Sequence, residues 1–220
     1  MTAPLTRLAI FDCDGTLVDG QAAVCIAMES AFAESALPAP DRHDIRRIVG
    51  LSLPQAVRRL APDADADTLA HIVYAYKTAF RQARLDGSLN EALYDGIADL
   101  LHDLHASGWT LAVATGKSDR GLAATLRAND LTELFTSLQT ADRHPSKPDP
   151  SMIEQCLADS GAQVADAVMI GDTVFDIHMA ANAGVRAIGV DWGYHEADEL
   201  LQAGAEAVAA DMAQLRDLLR

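Results

Sequence analysis

The runs LAIFD (8 to 12), TLAVAT (110 to 115), AVMIGD (167 to 172) and VRAIGVD (185 to 191) are apolar along most of their length, and each stops on an aspartate or a threonine. A strand with one wet face would alternate; a continuous apolar run predicts a strand covered on both faces, the habit of parallel sheets. FTSLQT (135 to 140) and AEAVAA (205 to 210) are weaker candidates of the same kind. Helical patterns separate these runs. IADLLHDLHASG (97 to 108) sets Ile97, Leu100, Leu101 and Leu104 on one face and ends on Gly108, a helix stop. SDRGLAATLRAND, PSMIEQCLADSG and FDIHMAANAG follow the same plan. Strand, helix and strand joined by short loops predict an α/β fold, a doubly wound parallel sheet with right-handed crossovers. Ligands of such sheets sit at the carboxyl ends of the strands.

One segment breaks the alternation. Residues 20 to 86 offer no convincing strand, only the helical patterns QAAVCIAMESAFAESA, HDIRRIV, LPQAVRRLA and ADTLAHIVYAYKTAFRQARLD, punctuated by Pro38, Pro40, Pro54 and Pro62. The expected division is a core of residues 1 to 19 and 87 to 220, with 20 to 86 as an inserted helical unit. Ile72, Val73 and Phe80 either pack within that unit or form an interface, so monomer and homodimer both stay open.

Charge limits the partners. Seventeen basic against 32 acidic residues give a net charge of −15, the wrong sign for nucleic acid or an anionic membrane surface. An anionic substrate then requires the few cations to gather at one place, and there are three lysines: Lys77, Lys117 and Lys147. Cys13, Cys25 and Cys156 are odd in number and form no metal-binding spacing, which fits a reducing compartment. No stretch approaches the ~20 apolar residues of a membrane span, and the expected location is the cytoplasm.

The strand ends carry the chemistry: DCDGT, TGKS, the loop ADRHPSKPDP, and GDTVFD, all on one rim of a parallel sheet. Asp12, Asp14, Asp172 and Asp176 would converge there. Each pair of carboxylates near 4 Å repels by about 4 kcal/mol at an effective dielectric of ~20. A hard dication such as Mg²⁺ resolves this, being held by carboxylates and substrate phosphate oxygens. Lys147 adds further positive charge. The set suits phosphoryl transfer: Asp12 attacks phosphorus, while Asp14 protonates the leaving oxygen and later deprotonates water. Thr115 and the N–H of Gly116 would hold phosphate oxygens, with Mg²⁺ and Lys147 stabilising the transferring group.

Plainer readings compete with each motif. Asp-x-Asp-Gly alone is ordinary turn chemistry. TGKS is not a Walker loop, since the required glycine five residues before Gly116 is Leu111. Lys117 reads as an exposed residue at a helix start. GDTVFD lacks the ligand pattern of a calcium loop, and Thr173 reads as a helix cap. Cys13 reads as a core residue between the two aspartates. His71, His102 and His105 fall on helices without metal spacing.

FDCDGTLVD, ATGKS, SKPDP and IGDTVFD, in that order, resemble the four motifs of the haloacid dehalogenase superfamily, and they span most of the chain. The resemblance implies a Rossmann-like core with Asp12 as nucleophile, Asp14 as general acid and base, Thr115 as the phosphate-binding hydroxyl and Lys147 as the catalytic lysine. It also implies that Asp12, Asp172 and the backbone carbonyl of Asp14 hold Mg²⁺, with Asp176 in support. The insertion then corresponds to a helical cap domain of the kind found in relatives acting on small phosphorylated metabolites, and RRIVGLSLPQA falls where such relatives place specificity residues. Arg46 or Arg47 and Gly50 are the candidates for substrate contact. The function implied is a Mg²⁺-dependent phosphatase similar to phosphoglycolate phosphatases. A dehalogenase would have no use for Asp14. A sugar-phosphate mutase would be expected to keep a histidine where Val24 stands. The same core would also serve pyrophosphate or nucleotide hydrolysis, or a non-catalytic phosphometabolite sensor.

Overall fold

The computed structural model describes residues 6 to 220. Its centre is a six-stranded sheet built from β1 (Arg7–Phe11), β4 (Trp109–Thr115), β5 (Phe135–Thr140), β6 (Ala167–Gly171), β7 (Arg186–Val190) and β8 (Ala207–Ala209). The strands lie in the order β5-β4-β1-β6-β7-β8, and every neighbouring pair is parallel. Both weaker sequence candidates are therefore strands. Chain order reverses at β1, which sits between β4 and β6, and such a reversal opens a crevice at the carboxyl ends.

The pleat explains why the strands are apolar throughout. Successive side chains point to opposite faces, so Ala9 and Phe11, Leu111 and Val113, and Val168 and Ile170 enter one apolar layer. Leu8 and Ile10, Ala112 and Ala114, and Ala167 and Met169 enter the other. The first layer is closed by α5 (Ile97–Ala106) through Ile97, Leu100, Leu101 and Leu104, by α6 (Asp119–Ala128) and by α10 (Met212–Leu218). The second is closed by α7 (Ser151–Ser160) through Met152, Ile153 and Cys156, by α8 (Val174–Asn182) and by α9 (Ala197–Gln202). The result is three layers, helix, sheet and helix.

Between residues 20 and 86 lie four helices: α1 (Gln21–Glu34), α2 (Arg42–Arg47), α3 (Leu53–Leu60) and α4 (Ala66–Leu85). Asp41 and Asp65 cap α2 and α4, accepting from the N–H groups of His43 at 2.7 Å and Thr68 at 2.8 Å. The insert has its own apolar centre, in which Cys25, Met28 and Phe32 meet Ile45, Val57 and Ile72, with Val73 and Phe80 packed against it. Ile72, Val73 and Phe80 are thus engaged within the insert. Tyr194, from the loop after β7, joins the same centre and ties insert to core.

An antiparallel ribbon that no sequence pattern predicts joins the two parts. It pairs β2 (Val18–Asp19) with β3 (Ala92–Leu93), matching Val18 to Leu93 and Asp19 to Ala92. Two residues per strand are too few to show a period, so the pairing leaves no trace in the sequence. Asp19 Oδ1 accepts from the Gln21 N–H at 3.2 Å, organising the step from ribbon into α1. Among the described residues, no helix is long and apolar enough to cross a membrane. The three cysteines are free and buried.

Candidate active site

Sheet register brings the motifs together. Phe11 stands beside Val113 on one side and Ile170 on the other, so Asp12, Thr115 and Asp172 leave three adjacent strands at the same rim. The Asp12 N–H still donates to the Ile170 carbonyl at 2.9 Å, fixing the backbone at the point of departure. Gly15, at φ +85°, turns the chain back; a Cβ there would lie 2.1 Å from Asp172 Oδ2, so only glycine lets the turn approach that carboxylate.

Asp12, Asp172 and Asp176 each bring a carboxylate oxygen within 4.8 Å of the other two, and all three side chains are buried. Lys147, also buried, places Nζ 2.9 Å from Asp12 Oδ1 and 2.6 Å from Asp176 Oδ1. Asp176 Oδ2 accepts from the Thr173 N–H at 3.1 Å and hydroxyl at 2.7 Å, so Thr173 caps α8 as expected and Asp176 is fully engaged. Asp172 accepts from the Thr16 hydroxyl at 2.8 Å and the Tyr194 N–H at 2.9 Å. Asp12 Oδ1 also accepts from the Cys13 N–H at 2.6 Å. Asp12 Oδ2 is buried and has no partner, which is the state of an atom reserved for something else.

Electrostatics agree with that geometry. Burial, opposed by Lys147 and reinforced by Asp176, pushes the Asp12 carboxyl up to about 7. Burial, then Asp176 and Asp12, holds Asp172 well above the ordinary carboxylate range. Burial works against the Lys147 ammonium, yet Asp12 and Asp176 together outweigh it and keep the lysine charged. Three clustered acids beside one cation leave negative charge unbalanced whenever all are ionised. A hard cation with oxygen ligands fits this donor set, with Asp12 Oδ2 as its open position.

Asp14 stands apart from the cluster. Its Oδ1 lies 2.9 Å from Lys117 Nζ, and Lys117 also reaches Glu91 Oε1 at 2.6 Å. The exposed helix-start role expected for Lys117 is therefore wrong: its side chain is 9% exposed, drawn inward by two carboxylates. Burial raises the Asp14 carboxyl, and Lys117 opposes it. Cys13 is fully buried in the core, as expected. Thr115 is buried at the end of β4, and its Oγ1 accepts from the Lys117 N–H at 3.3 Å.

The insert closes over this rim. A Cβ on Gly116 would meet the Leu51 carbonyl at 2.6 Å and the Gly50 carbonyl at 2.7 Å, so the 50–51 backbone lies directly on the TGKS turn. Gly50 itself has φ +96° and leaves 3.0 Å for a Cβ before Thr173 Oγ1. The Ser52 N–H donates to Ser146 Oγ at 2.8 Å. Arg47 has a partner that the sequence does not foretell: Glu199 holds its guanidinium by two bonds of 2.6 and 2.7 Å, a clasp between insert and core. The half-buried guanidinium has a fork-shaped partner on α9, which no local pattern announces. Arg46 stays exposed, and it and Arg47 line one cleft of about 540 Å³ with His43, Gln21, Tyr194 and Glu196.

Sequence reasoning misses Glu91, Tyr194 and Glu199, which lie outside every motif and arrive through tertiary packing, and it gives Ser146 no part although that residue opens SKPDP. Lys117 carries a signal: it is one of three lysines in an acidic chain and sits two residues past Thr115.

This fold and rim define an α/β hydrolytic enzyme class with an acidic, lysine-balanced centre. Residues 9–190 match the haloacid dehalogenase-like hydrolase family, and the chain belongs to it. It is 36% identical to "Probable phosphatase IndB" of Dickeya dadantii, over 91% of this chain and 88% of that one. It is 31% identical to a phosphoglycolate phosphatase of Agrobacterium fabrum, over 98% and 93% of the two chains. The solved structure of a hydrolase from Pseudomonas syringae has the same fold, with a TM-score of 0.86, 23% identity, and 97% and 98% coverage.

Proposed function

We propose that the protein is a Mg²⁺-dependent phosphatase that hydrolyses a small phosphate monoester, phosphoglycolate being the first candidate, with Asp12 as nucleophile. The observation that carries this reading is Asp12 itself: a buried carboxylate at a strand end, with Oδ1 fixed by Lys147 and Cys13 and Oδ2 unpartnered. The phosphatase names of the relatives support the same activity.

In this mechanism an oxygen of Asp12 bonds to phosphorus as the bond to the leaving oxygen breaks, and Asp14 gives its proton to that oxygen. Water then attacks the aspartyl-phosphate, passes a proton to Asp14, and Asp12 departs as carboxylate. Thr115 and the Gly116 N–H orient the phosphoryl oxygens; Lys147 holds positive charge beside Asp12 throughout. Mg²⁺, held by Asp12, Asp172 and the Asp14 carbonyl with Asp176 in support, would neutralise the phosphate's charge. Residues 20 to 86 act as a cap domain that excludes water, with the Gly50 backbone on its inner face and Arg47 clasping it shut.

The direct test is inorganic phosphate release from a panel of phosphate monoesters, a nucleotide and pyrophosphate, with and without Mg²⁺. Metal-dependent turnover of a monoester is the expected result; turnover of pyrophosphate alone would make the protein a pyrophosphatase instead, and none at all would reject a phosphatase for this panel.

Closure makes a second expectation. In Gly116→Ala the new methyl meets two backbone carbonyls that a side-chain rotation cannot clear, so the 50–51 loop must lift. A displacement near 1 Å at a reaction centre costs up to about 100-fold in rate. A loss of at least about 10-fold in kcat/KM is expected, with little change in thermal unfolding; unchanged kinetics would show that this contact does not matter to turnover.

A further inference from the structure

Lys117, Glu91 and Arg84 form a line of charge that ends on Asp14. Lys117 Nζ lies 2.9 Å from Asp14 Oδ1 and 2.6 Å from Glu91 Oε1. The other oxygen of Glu91 takes Arg84 at 2.7 Å and the Thr125 hydroxyl at 3.3 Å. The side chains of Glu91, Lys117 and Asp14 are 7%, 9% and 15% exposed, so these are not surface pairs screened by water.

Each member comes from a different part of the fold. Arg84 is in the last turn of α4, Glu91 directly precedes β3, Lys117 follows β4 and Asp14 follows β1. The line therefore crosses from the insert, through the ribbon, into the core. Lys117 Nζ also stands 5.9 Å from the centre of the Phe80 ring on α4, a second link to the insert.

Asp14 depends on this line for its orientation. Its Oδ1 is buried and, among the described residues, accepts no aligned hydrogen bond; the nearby ammonium is what it meets. A proton-handling group must stand within hydrogen-bond reach of the oxygen it serves. A carboxylate with no aligned hydrogen bond at that oxygen is poorly fixed unless a neighbouring charge is itself fixed, and Glu91 fixes Lys117.

We propose that Lys117 is the positioning residue of Asp14, and that Glu91 and Arg84 make this positioning depend on the seated insert. The proposal rests on the phosphatase reading above for Asp14's role, while the placement of the Asp14 side chain is separately observable. Arg84 and Glu91 thus contribute to turnover although neither touches the reacting atoms.

The test combines kinetics with structure. Lys117→Met is expected to lower kcat by about 30-fold with KM held within about 3-fold, the signature of an interaction used in the transition state. Lys117→Arg, which keeps the charge, should recover most of the loss. In an Asp14→Asn background Lys117→Met should cost nothing further, because residues acting as a unit are not additive. Arg84→Ala should lower kcat by a smaller factor, about 3-fold. A rise in KM with kcat intact, or losses that multiply in the Asp14→Asn background, would overturn the proposal.

Removing Lys117 alone leaves Glu91 Oε1 buried without its cation, so the double variant Lys117→Met/Glu91→Gln guards against a folding failure. Its crystal structure should show the Asp14 side chain turned from its wild-type orientation. An unmoved Asp14 overturns positioning whatever the activity. A turned Asp14 in a protein whose wild type releases no phosphate would sustain the positioning and reject the function.

Discussion

Asp12→Asn is expected to lower phosphate release by at least about 1,000-fold while leaving the protein as stable as before, or more so. The loss follows from its proposed role: an amide oxygen is too weak a nucleophile to form the acyl-phosphate link, and losing a nucleophile costs orders of magnitude in kcat. The stability expectation follows from burial. The amide has the size of the carboxyl it replaces, and Lys147 keeps Asp176 at 2.6 Å. One of three clustered acids disappears, and with it a carboxyl that burial pushes up to about 7. A group held away from its ordinary pKa by desolvation opposes folding when ionised. Phosphate assays and thermal unfolding of the two proteins, both without added metal, check the two halves together. Retention of more than about a tenth of the activity would remove Asp12 from the mechanism; a large fall in melting temperature would show that its charge supports the fold.

Lys147→Met should behave in the opposite way. Here the one cation bridging Asp12 and Asp176 is removed and two buried carboxylates lose their partner. Breaking a buried pair from one side costs about 3–5 kcal/mol. For a chain of this length each kcal/mol moves the melting temperature by roughly 2–4 °C, so a fall of about 10 °C is expected without metal. Added Mg²⁺ should return part of it by supplying charge to the same carboxylates. Activity should fall as well, since the proposed mechanism has Lys147 hold positive charge beside Asp12. A melting temperature within about 2 °C of wild type would mean that the acids neutralise themselves and that the lysine is not what balances them.

The contrast between these variants explains which parts of the molecule the sequence discloses. Buried strands such as Leu8–Phe11 must be apolar on both faces, and their helices must repeat an apolar stripe, so the layered sheet is legible in local pattern alone. Asp12, Thr115 and Asp172 are legible because polar groups at the ends of apolar strands are costly and therefore conspicuous, whereas Lys147, in the loop after β5, stands out only through the order of the motifs around it. Lys117 misleads for the converse reason, and Arg47 hides its carboxylate partner in the same way. An arginine or lysine on a short helix or loop looks solvated until tertiary structure brings it a carboxylate, and Glu199 is 152 positions away from Arg47. The β2–β3 ribbon is hidden by its brevity. Glu91 is hidden because it sits in a connecting stretch with no pattern around it, yet its two oxygens serve a cation from each part of the fold.

That ribbon has a consequence for the architecture. The chain leaves the core at Asp19 and returns at Ala92, and those two residues are paired with each other. The outgoing and returning strands are stapled side by side, so the chain enters and leaves the four-helix unit through one paired strap. The register of β1 against β4 is set in the sheet beneath that point. The ribbon thus puts exit and entry at one place on the sheet, and the Arg47–Glu199 and Ser52–Ser146 contacts hold the helices against it from elsewhere.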